Sequence, residues 1–274
     1  MRHQAGAAMR HGYTDEEAKP QMGFFTDTSL CIGCKACEVA CKEWNHVPDT
    51  INELTGMSYD NTVDLDANTW RHVQFIEQPT RVEDDEGFRW LMSSDVCKHC
   101  EEAACLDVCP TGALFRTEFD TVVVQSDICN GCGYCVPACP FGVIDRREGD
   151  GRAWKCTLCY DRLKDDLEPA CAKACPTDSI QFGELGDLRD HAQVRVLELH
   201  DKGVESAQLY GADPGDGVGG MHSFFLLLDE PEAYSLPPDP KVTTRDLDEI
   251  WGAAFAAAGA LALGIAAAMI GGRR

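Results

Sequence analysis

Basic residues are scarce. The 274 residues hold 24 lysines and arginines against 46 aspartates and glutamates, a net charge of −22. Such a field repels phosphate backbones, which excludes nucleic acid as a partner. It also steers small anions away, which argues against this chain as the place where an anionic substrate is collected. The first residues, MRHQAGAAMRHGY, contain no apolar run, so no secretory signal peptide is expected there. No nucleophile–base pair sits within a motif and nothing marks a pterin site, so chemistry on a bound substrate is not expected. GDGVGG at 215–220 fits the GxGxxG pattern, but the strand-like MHSFFLLL and then prolines come next, where a dinucleotide fold needs a helix. It is read as a glycine-rich turn. Isolated cysteines are missing too.

Cysteine itself is abundant. Sixteen residues fall into four groups of four: Cys31, Cys34, Cys37, Cys41; Cys97, Cys100, Cys105, Cys109; Cys129, Cys132, Cys135, Cys139; Cys156, Cys159, Cys171, Cys175. Disulfides are permitted by an even count, yet a chain of this length has no need of staples. Zinc knuckles use CxxC pairs well apart and have no use for a third and fourth thiol packed after them. Iron–sulfur chemistry fits the spacing. A loop around a cubane presents three thiolates at x2, x2 intervals, while the fourth cysteine of a CxxCxxCxxxC run reaches the other cluster of a two-cluster ferredoxin. Pro110, Pro140 and Pro176 each follow the last cysteine of a group, as in ferredoxin runs, whereas Lys42 follows Cys41. Gly33, Gly131 and Gly133 lie between ligands, where a missing Cβ lets backbone N–H groups turn toward sulfur.

The fourth-cysteine rule predicts four [4Fe–4S] clusters and their ligands. The sets are Cys31, Cys34, Cys37 with Cys175; Cys41 with Cys156, Cys159, Cys171; Cys97, Cys100, Cys105 with Cys139; and Cys109 with Cys129, Cys132, Cys135. The expected fold is α+β, with two fused ferredoxin-like dicluster modules, one nested in the other, and a C-terminal transmembrane helix. The boundaries are 1–23 for an N-terminal extension, 24–92 with 148–185 for the outer module and 93–147 for the inner one. A C-terminal extension over 186–249 and a membrane helix over 250–272 complete the chain.

Several stretches carry a resemblance: SLCIGCKACEVACKEWN, VCKHCEEAACLDVCP, CNGCGYCVPACPFGV, WKCTLCYDR, PACAKACPTDSIQFG and GVGGMHSFFLL with the later LPPDPK. With them the chain resembles the iron–sulfur (β) subunit of membrane-bound respiratory formate dehydrogenase. The cysteine pattern alone is shared with electron-transfer subunits of other molybdopterin oxidoreductases, acting on polysulfide, thiosulfate or sulfoxides. In the nitrate reductase relative a tryptophan replaces one ligand of the third group; Cys132 is intact here. The resemblance implies a division of labour. A molybdenum or tungsten pterin α subunit oxidises formate, this non-catalytic chain accepts the electrons, and a membrane cytochrome b γ subunit reduces quinone. By the same analogy electrons run from the Cys31 set through the Cys41 and Cys97 sets to the Cys109 set. A sister subunit of another oxidoreductase and a free polyferredoxin are the alternatives.

Residues 250–272, IWGAAFAAAGALALGIAAAMIGG, are uncharged and long enough to cross a bilayer. Trp251 stands where an interfacial aromatic would, and Ala260, Gly264 and Ala268 form a small-residue face. Arg273 and Arg274 favour a cytoplasmic C-terminus, with Lys241 and Arg245 weakening the contrast. The cluster-bearing part is then expected outside the cytoplasmic membrane. The family supplies the route, co-export with a catalytic partner that carries a twin-arginine signal. Smaller expectations are an amphipathic helix over 187–203 with Leu188, Ala192, Val196 and Leu199 inward, and strands at HVQFIE and TVVVQ. His99 is expected beside ligands or at the surface rather than on a metal. Trp44, Trp154 and Tyr160 are expected to shield cluster loops or simply to pack. Lys35, Lys98 and Lys155 are candidate tuning charges beside anionic clusters.

Overall fold

The computed structural model describes residues 18–49, 55–56, 59–79 and 88–271. In chain order the elements are β1 (Met22–Asp27), α1 (Ala36–Asn45), β2 (Arg71–Pro79), β3 (Phe88–Val96), α2 (Ala104–Asp107), β4 (Leu114–Arg116), β5 (Val122–Val124) and α3 (Cys135–Ala138). They continue with β6 (Asp145–Arg146), β7 (Ala153–Trp154), α4 (Tyr160–Lys164), α5 (Ala170–Lys173), β8 (Ile180–Glu184), α6 (Leu185–Asp201), β9 (Gln208–Tyr210), β10 (Ser223–Leu227), a 3₁₀ turn (Pro231–Tyr234) and α7 (Leu247–Gly271).

β1 organises the molecule. It lies inside a four-stranded sheet of order β8-β1-β10-β9, antiparallel to β8 and parallel to β10. Phe24 faces Phe182 across one register and Ser223 across the other. Successive side chains of a strand point to opposite faces, so MGFFTD serves two cores at once. Phe25 joins Phe224, Leu226 and the inner side of α6, with the Phe25 and Phe224 rings stacked at 5.3 Å. Phe24 enters the other core, among Cys37, Cys41, Cys97, Cys156 and Cys171. Both phenylalanines are fully buried, which contributes roughly 2–3 kcal/mol each by area. The first core is an ordinary apolar one; the second is built around sulfur.

α6 starts two residues before the expected helix and ends two before its expected close. Leu188, Ala192 and Leu199 are buried against the sheet as the periodicity required, joined by Leu185. Val196 is only half-buried at the edge of that stripe. HVQFIE lies within β2, which pairs with β3 over the full register from Arg71–Val96 to Pro79–Phe88. TVVVQ contains β5, paired with β4. The GDGVGG segment is a turn between β9 and β10. Asp216 Oδ1 accepts the N–H groups of Val218 and Gly220, and a strand rather than a helix comes after it.

α7 holds the one segment among the described residues that is long and apolar enough to cross a membrane, Glu249–Gly271, and none of it is buried. It starts ahead of the expected 250–272 span. Residue 272 with Arg273 and Arg274, and the N-terminal stretch through Tyr13, lie outside the described residues.

Candidate metal centres

All sixteen cysteines lie within the described residues and none is in a disulfide. Cys34 and Cys132 are exposed; the others are buried or half-buried. Mostly short helices hold several of them: α1 carries Cys37 and Cys41, α2 Cys105, α3 Cys135 and α5 Cys171. The loops between them depend on left-handed backbone. Gly33, Gly131 and Gly133 have φ of 65°, 72° and 78°, and Lys35, His99, Leu158 and Cys159 adopt the same region without being glycine.

The neighbourhoods cut across the sequence groups. Cys31 lies in electrostatic reach of Cys37, Cys175 and Cys34. Cys41, four residues beyond Cys37, has Cys156, Cys171 and Cys159 around it instead. Asn45, one turn further along α1, shows this directly: its Nδ2 stands 3.7 Å from Cys41 Sγ and 3.8 Å from Cys159 Sγ. Cys100 is surrounded by Cys97, Cys139 and Cys105, and Cys135 by Cys129, Cys132 and Cys109. Links also run between these neighbourhoods, from Cys37 to Cys171, from Cys156 to Cys97 and from Cys105 to Cys135.

Two of the neighbourhoods enclose space. Cys97, Cys100, Cys105 and Cys139 line a small pocket with Lys98, His99 and Lys155. Cys31, Cys34, Cys37 and Cys175 line another. Burial pushes the bare thiols up, to about 11 at Cys31, Cys37 and Cys135 and about 12 at Cys105 and Cys156. Crowded, desolvated sulfurs of this kind favour thiolate only when a cation takes the proton's place. At Cys109 burial also raises the pKa, but the N–H groups of Leu114, Thr111 and Ala113 and the Thr111 hydroxyl outweigh it and leave the pKa below the ordinary thiol value.

Donors aimed at sulfur are frequent. Leu158 N–H approaches Cys156 Sγ at 3.3 Å, Ala153 N–H approaches Cys129 Sγ at 3.4 Å and the Ser94 hydroxyl stands 3.2 Å from Cys37 Sγ. Thr111 and Thr177 stand two residues after Cys109 and Cys175 and place their hydroxyls 3.7 and 3.8 Å from those sulfurs. Donors to sulfur hold thiolate ligands in place and tune an iron–sulfur centre. Unpaired thiols, cysteine-lined cavities and convergent donors together fit [4Fe–4S] clusters.

His99 is buried, not at the surface; its Nδ1 accepts the Val122 N–H, so the proton sits on Nε2, which has no hydrogen-bond partner among the described residues. Burial first, then the charges of Lys155, His222 and Arg116, keep His99 far below the usual imidazole range, so it is neutral. Lys35 is spent on carboxylates, with its Nζ 3.0 Å from both Glu38 and Asp60. Lys98 is buried, paired with Asp95, and stands over the rings of Phe141 and Phe225. Lys155 is buried and donates to the carbonyls of Val122 and Cys156. Trp44 is exposed, with its N–H on Asp161 and the Arg162 guanidinium 4.2 Å from its ring. Trp154 stacks on Trp70 and has the Arg147 guanidinium 4.0 Å from its ring, and Tyr160 donates to Glu118.

Sequence reading missed Arg71, Asn45 and Ser94. Asn45 was findable, since position i+4 from Cys41 on one helix shares its face. Arg71 was not. It stands thirty residues from the nearest preceding cysteine, and only the pairing of β2 with β3 brings it to Ser94 and the thiols.

Comparison with known proteins agrees with this chemistry. Two family models, each described as a 4Fe-4S dicluster domain, match residues 30–113 and 88–185; the matches overlap. The two dicluster domains and sixteen cysteines account for four [4Fe–4S] clusters. The chain is 44% identical over 228 residues to the formate dehydrogenase iron–sulfur subunit of Haemophilus influenzae, covering 82% of this chain and 71% of that one. It is 42% identical over 230 residues to the nitrate-inducible formate dehydrogenase iron–sulfur subunit of Escherichia coli, covering 82% and 76%. One polypeptide of the Escherichia coli anaerobic dimethyl sulfoxide reductase is 36% identical over 169 residues, 62% of this chain and 76% of that one. On that identity and coverage, the chain belongs to the family of formate dehydrogenase iron–sulfur subunits.

Proposed function

We propose that this chain is the electron relay between a molybdenum- or tungsten-pterin subunit that oxidises formate and a membrane cytochrome b that reduces quinone. Bound [4Fe–4S] clusters supply one-electron carrier chemistry. The residues anchor, space and insulate them. The ligand sets are Cys31, Cys34, Cys37 and Cys175; Cys41, Cys156, Cys159 and Cys171; Cys97, Cys100, Cys105 and Cys139; Cys109, Cys129, Cys132 and Cys135. One observation carries this reading: Cys41 keeps company with Cys156, Cys159 and Cys171 rather than with its own run.

The electrostatic proximity of Cys37 to Cys171, of Cys156 to Cys97 and of Cys105 to Cys135 supports a single file of sets. The exposed cysteines, Cys34 and Cys132, belong to the first and last of them. A file with one accessible sulfur at each end suits a chain that takes electrons from one partner and gives them to another. The pairing of β1 with β8 supports the nested arrangement, with 24–92 and 148–185 closing around 93–147. α7 anchors the chain by a single pass, with the cluster-bearing part on the outer face and the C-terminus in the cytoplasm. The longer reach of the formate dehydrogenase relatives, 82% of the chain against 62% for the sulfoxide reductase polypeptide, favours formate.

The test is to purify the chain anaerobically with its neighbours. About 16 iron and 16 acid-labile sulfides per chain, with reduction by formate through a co-purifying pterin subunit, are expected. Bound zinc in place of iron would overturn the reading.

A further inference from the structure

The surface is strongly acidic, yet Arg71, Lys98 and Lys155 are buried among the cysteines, and two of them, Arg71 and Lys155, each stand where two neighbourhoods meet. Arg71 is 2% exposed. Its Nη1 donates to the Ser94 carbonyl and, at 3.0 Å, to the Ser94 hydroxyl, which itself stands 3.2 Å from Cys37 Sγ. Its Nε and Nη2 are buried with no hydrogen-bond partner among the described residues, and the guanidinium lies 4.9 Å from the centre of the Phe24 ring. The thiols in its electrostatic reach are Cys171, Cys37, Cys156 and Cys41, members of two neighbourhoods. Lys155 is likewise 2% exposed. It donates to the Val122 carbonyl and, at 2.9 Å, to the Cys156 carbonyl, and has Cys97, Cys105 and Cys156 in electrostatic reach. It also lines the cavity with Cys97, Cys100, Cys105 and Cys139.

Leaving three N–H groups of a buried guanidinium, one on Nε and two on Nη2, without an acceptor is costly, and burying the charge more so. Both costs are offset if the groups face anionic sulfur. We propose that Arg71 and Lys155 are fixed positive spacers: Arg71 sits between the Cys31/34/37/175 and Cys41/156/159/171 sets, and Lys155 between the latter and the Cys97/100/105/139 set. Each is a positioning residue that makes adding an electron easier on both sides of its gap and weakens the repulsion between neighbouring reduced centres. The Cys109 set draws on backbone N–H groups instead. The inference rests on the ligand sets proposed above.

The test uses the full chain carrying its clusters, reduced stepwise under anaerobic conditions while its electron paramagnetic resonance signals are followed. Arg71→Gln is expected to move two of the four signals to lower potential, and Lys155→Gln to move two. One signal is common to both pairs and one is moved by neither. A tenfold fall in the reduced-to-oxidised ratio at fixed potential is the effect looked for, which is about 59 mV for one electron. No assignment of signals to residues is needed, because the overlap itself is the readout. Four shifted signals, no shift, or pairs without a common member would overturn the proposal while four clusters remain bound. Fewer than four clusters in the parent chain would instead overturn the ligand reading. Should a neutral variant fail to assemble, Arg71→Lys and Lys155→Arg carry the test. Both keep the positive charge, so all four potentials are expected to stay near the parent's, and a fall as large as that sought in the glutamine variants counts against the spacers.

Discussion

The carboxylate of Glu38 accepts the backbone N–H of Val73, so the helix that carries Cys37 and Cys41 is tied to strand β2 by a buried acid. Lys35 and the Thr62 hydroxyl bond to the same group. Glu38→Ala leaves those donors short of an acceptor in a site that water reaches poorly, a loss of about 2 kcal/mol. An earlier thermal transition and faster bleaching of cluster absorbance are expected, with Glu38→Gln closer to the parent. Equal transitions for Ala and parent would mean the tie is not structural.

Ligand exchange between runs makes a pairwise prediction. Cys41→Ser and Cys159→Ser should extinguish the same resonance signal, whereas Cys41→Ser and Cys31→Ser should extinguish different ones. Iron should fall by about 4 per chain in each single variant. Loss of one common signal in the Cys31 and Cys41 variants would put both thiols on one centre and end the exchange model.

Gly131 lies between Cys129 and Cys132 with φ of 72°, and a Cβ there would come within 2.4 Å of the Gly151 carbonyl oxygen. Side chains avoid that backbone region, and the obstacle is main chain rather than a movable tip. Gly131→Ala should therefore cost about 2 kcal/mol or more and lower occupancy of the centre that involves Cys129, Cys132 and Cys135. Gly112→Ala, also at positive φ but with open space around it, should keep all the iron. Equal iron content in the two variants would contradict the steric argument.

The apolar length of α7 is nowhere covered by the rest of the described chain, so removing it should separate anchoring from cluster binding. A chain ending at Asp246 is expected to leave the membrane fraction without detergent and to keep its full iron content. Iron loss on truncation, or continued need for detergent, would assign the helix a different role.

The cysteine groups were legible because cluster ligation is written in local spacing, and α6 because its apolar stripe repeats with the helix. GDGVGG is legible as a turn from the residues after it, since β10 leaves no helix to receive a phosphate. Arg71, buried Lys98 and the burial of His99 were beyond the sequence. A basic residue in an acidic chain looks like surface, and other segments bury these three by their approach: β3 to β2 for Arg71, Phe141 and Phe225 for Lys98, Val122 for His99. Asn45 sits between these cases: its helix position was available, but its second partner, Cys159, was not.

β1 finds both of its hydrogen-bonded neighbours, β8 and β10, more than 150 residues later in the chain. During synthesis at roughly 5–20 residues per second, the N-terminal strand waits on the order of ten seconds before either partner leaves the ribosome. Over that interval the thiols at 31–41 are without the segment that shelters them. The fold thus sets a timetable in which the first cysteines made are among the last enclosed.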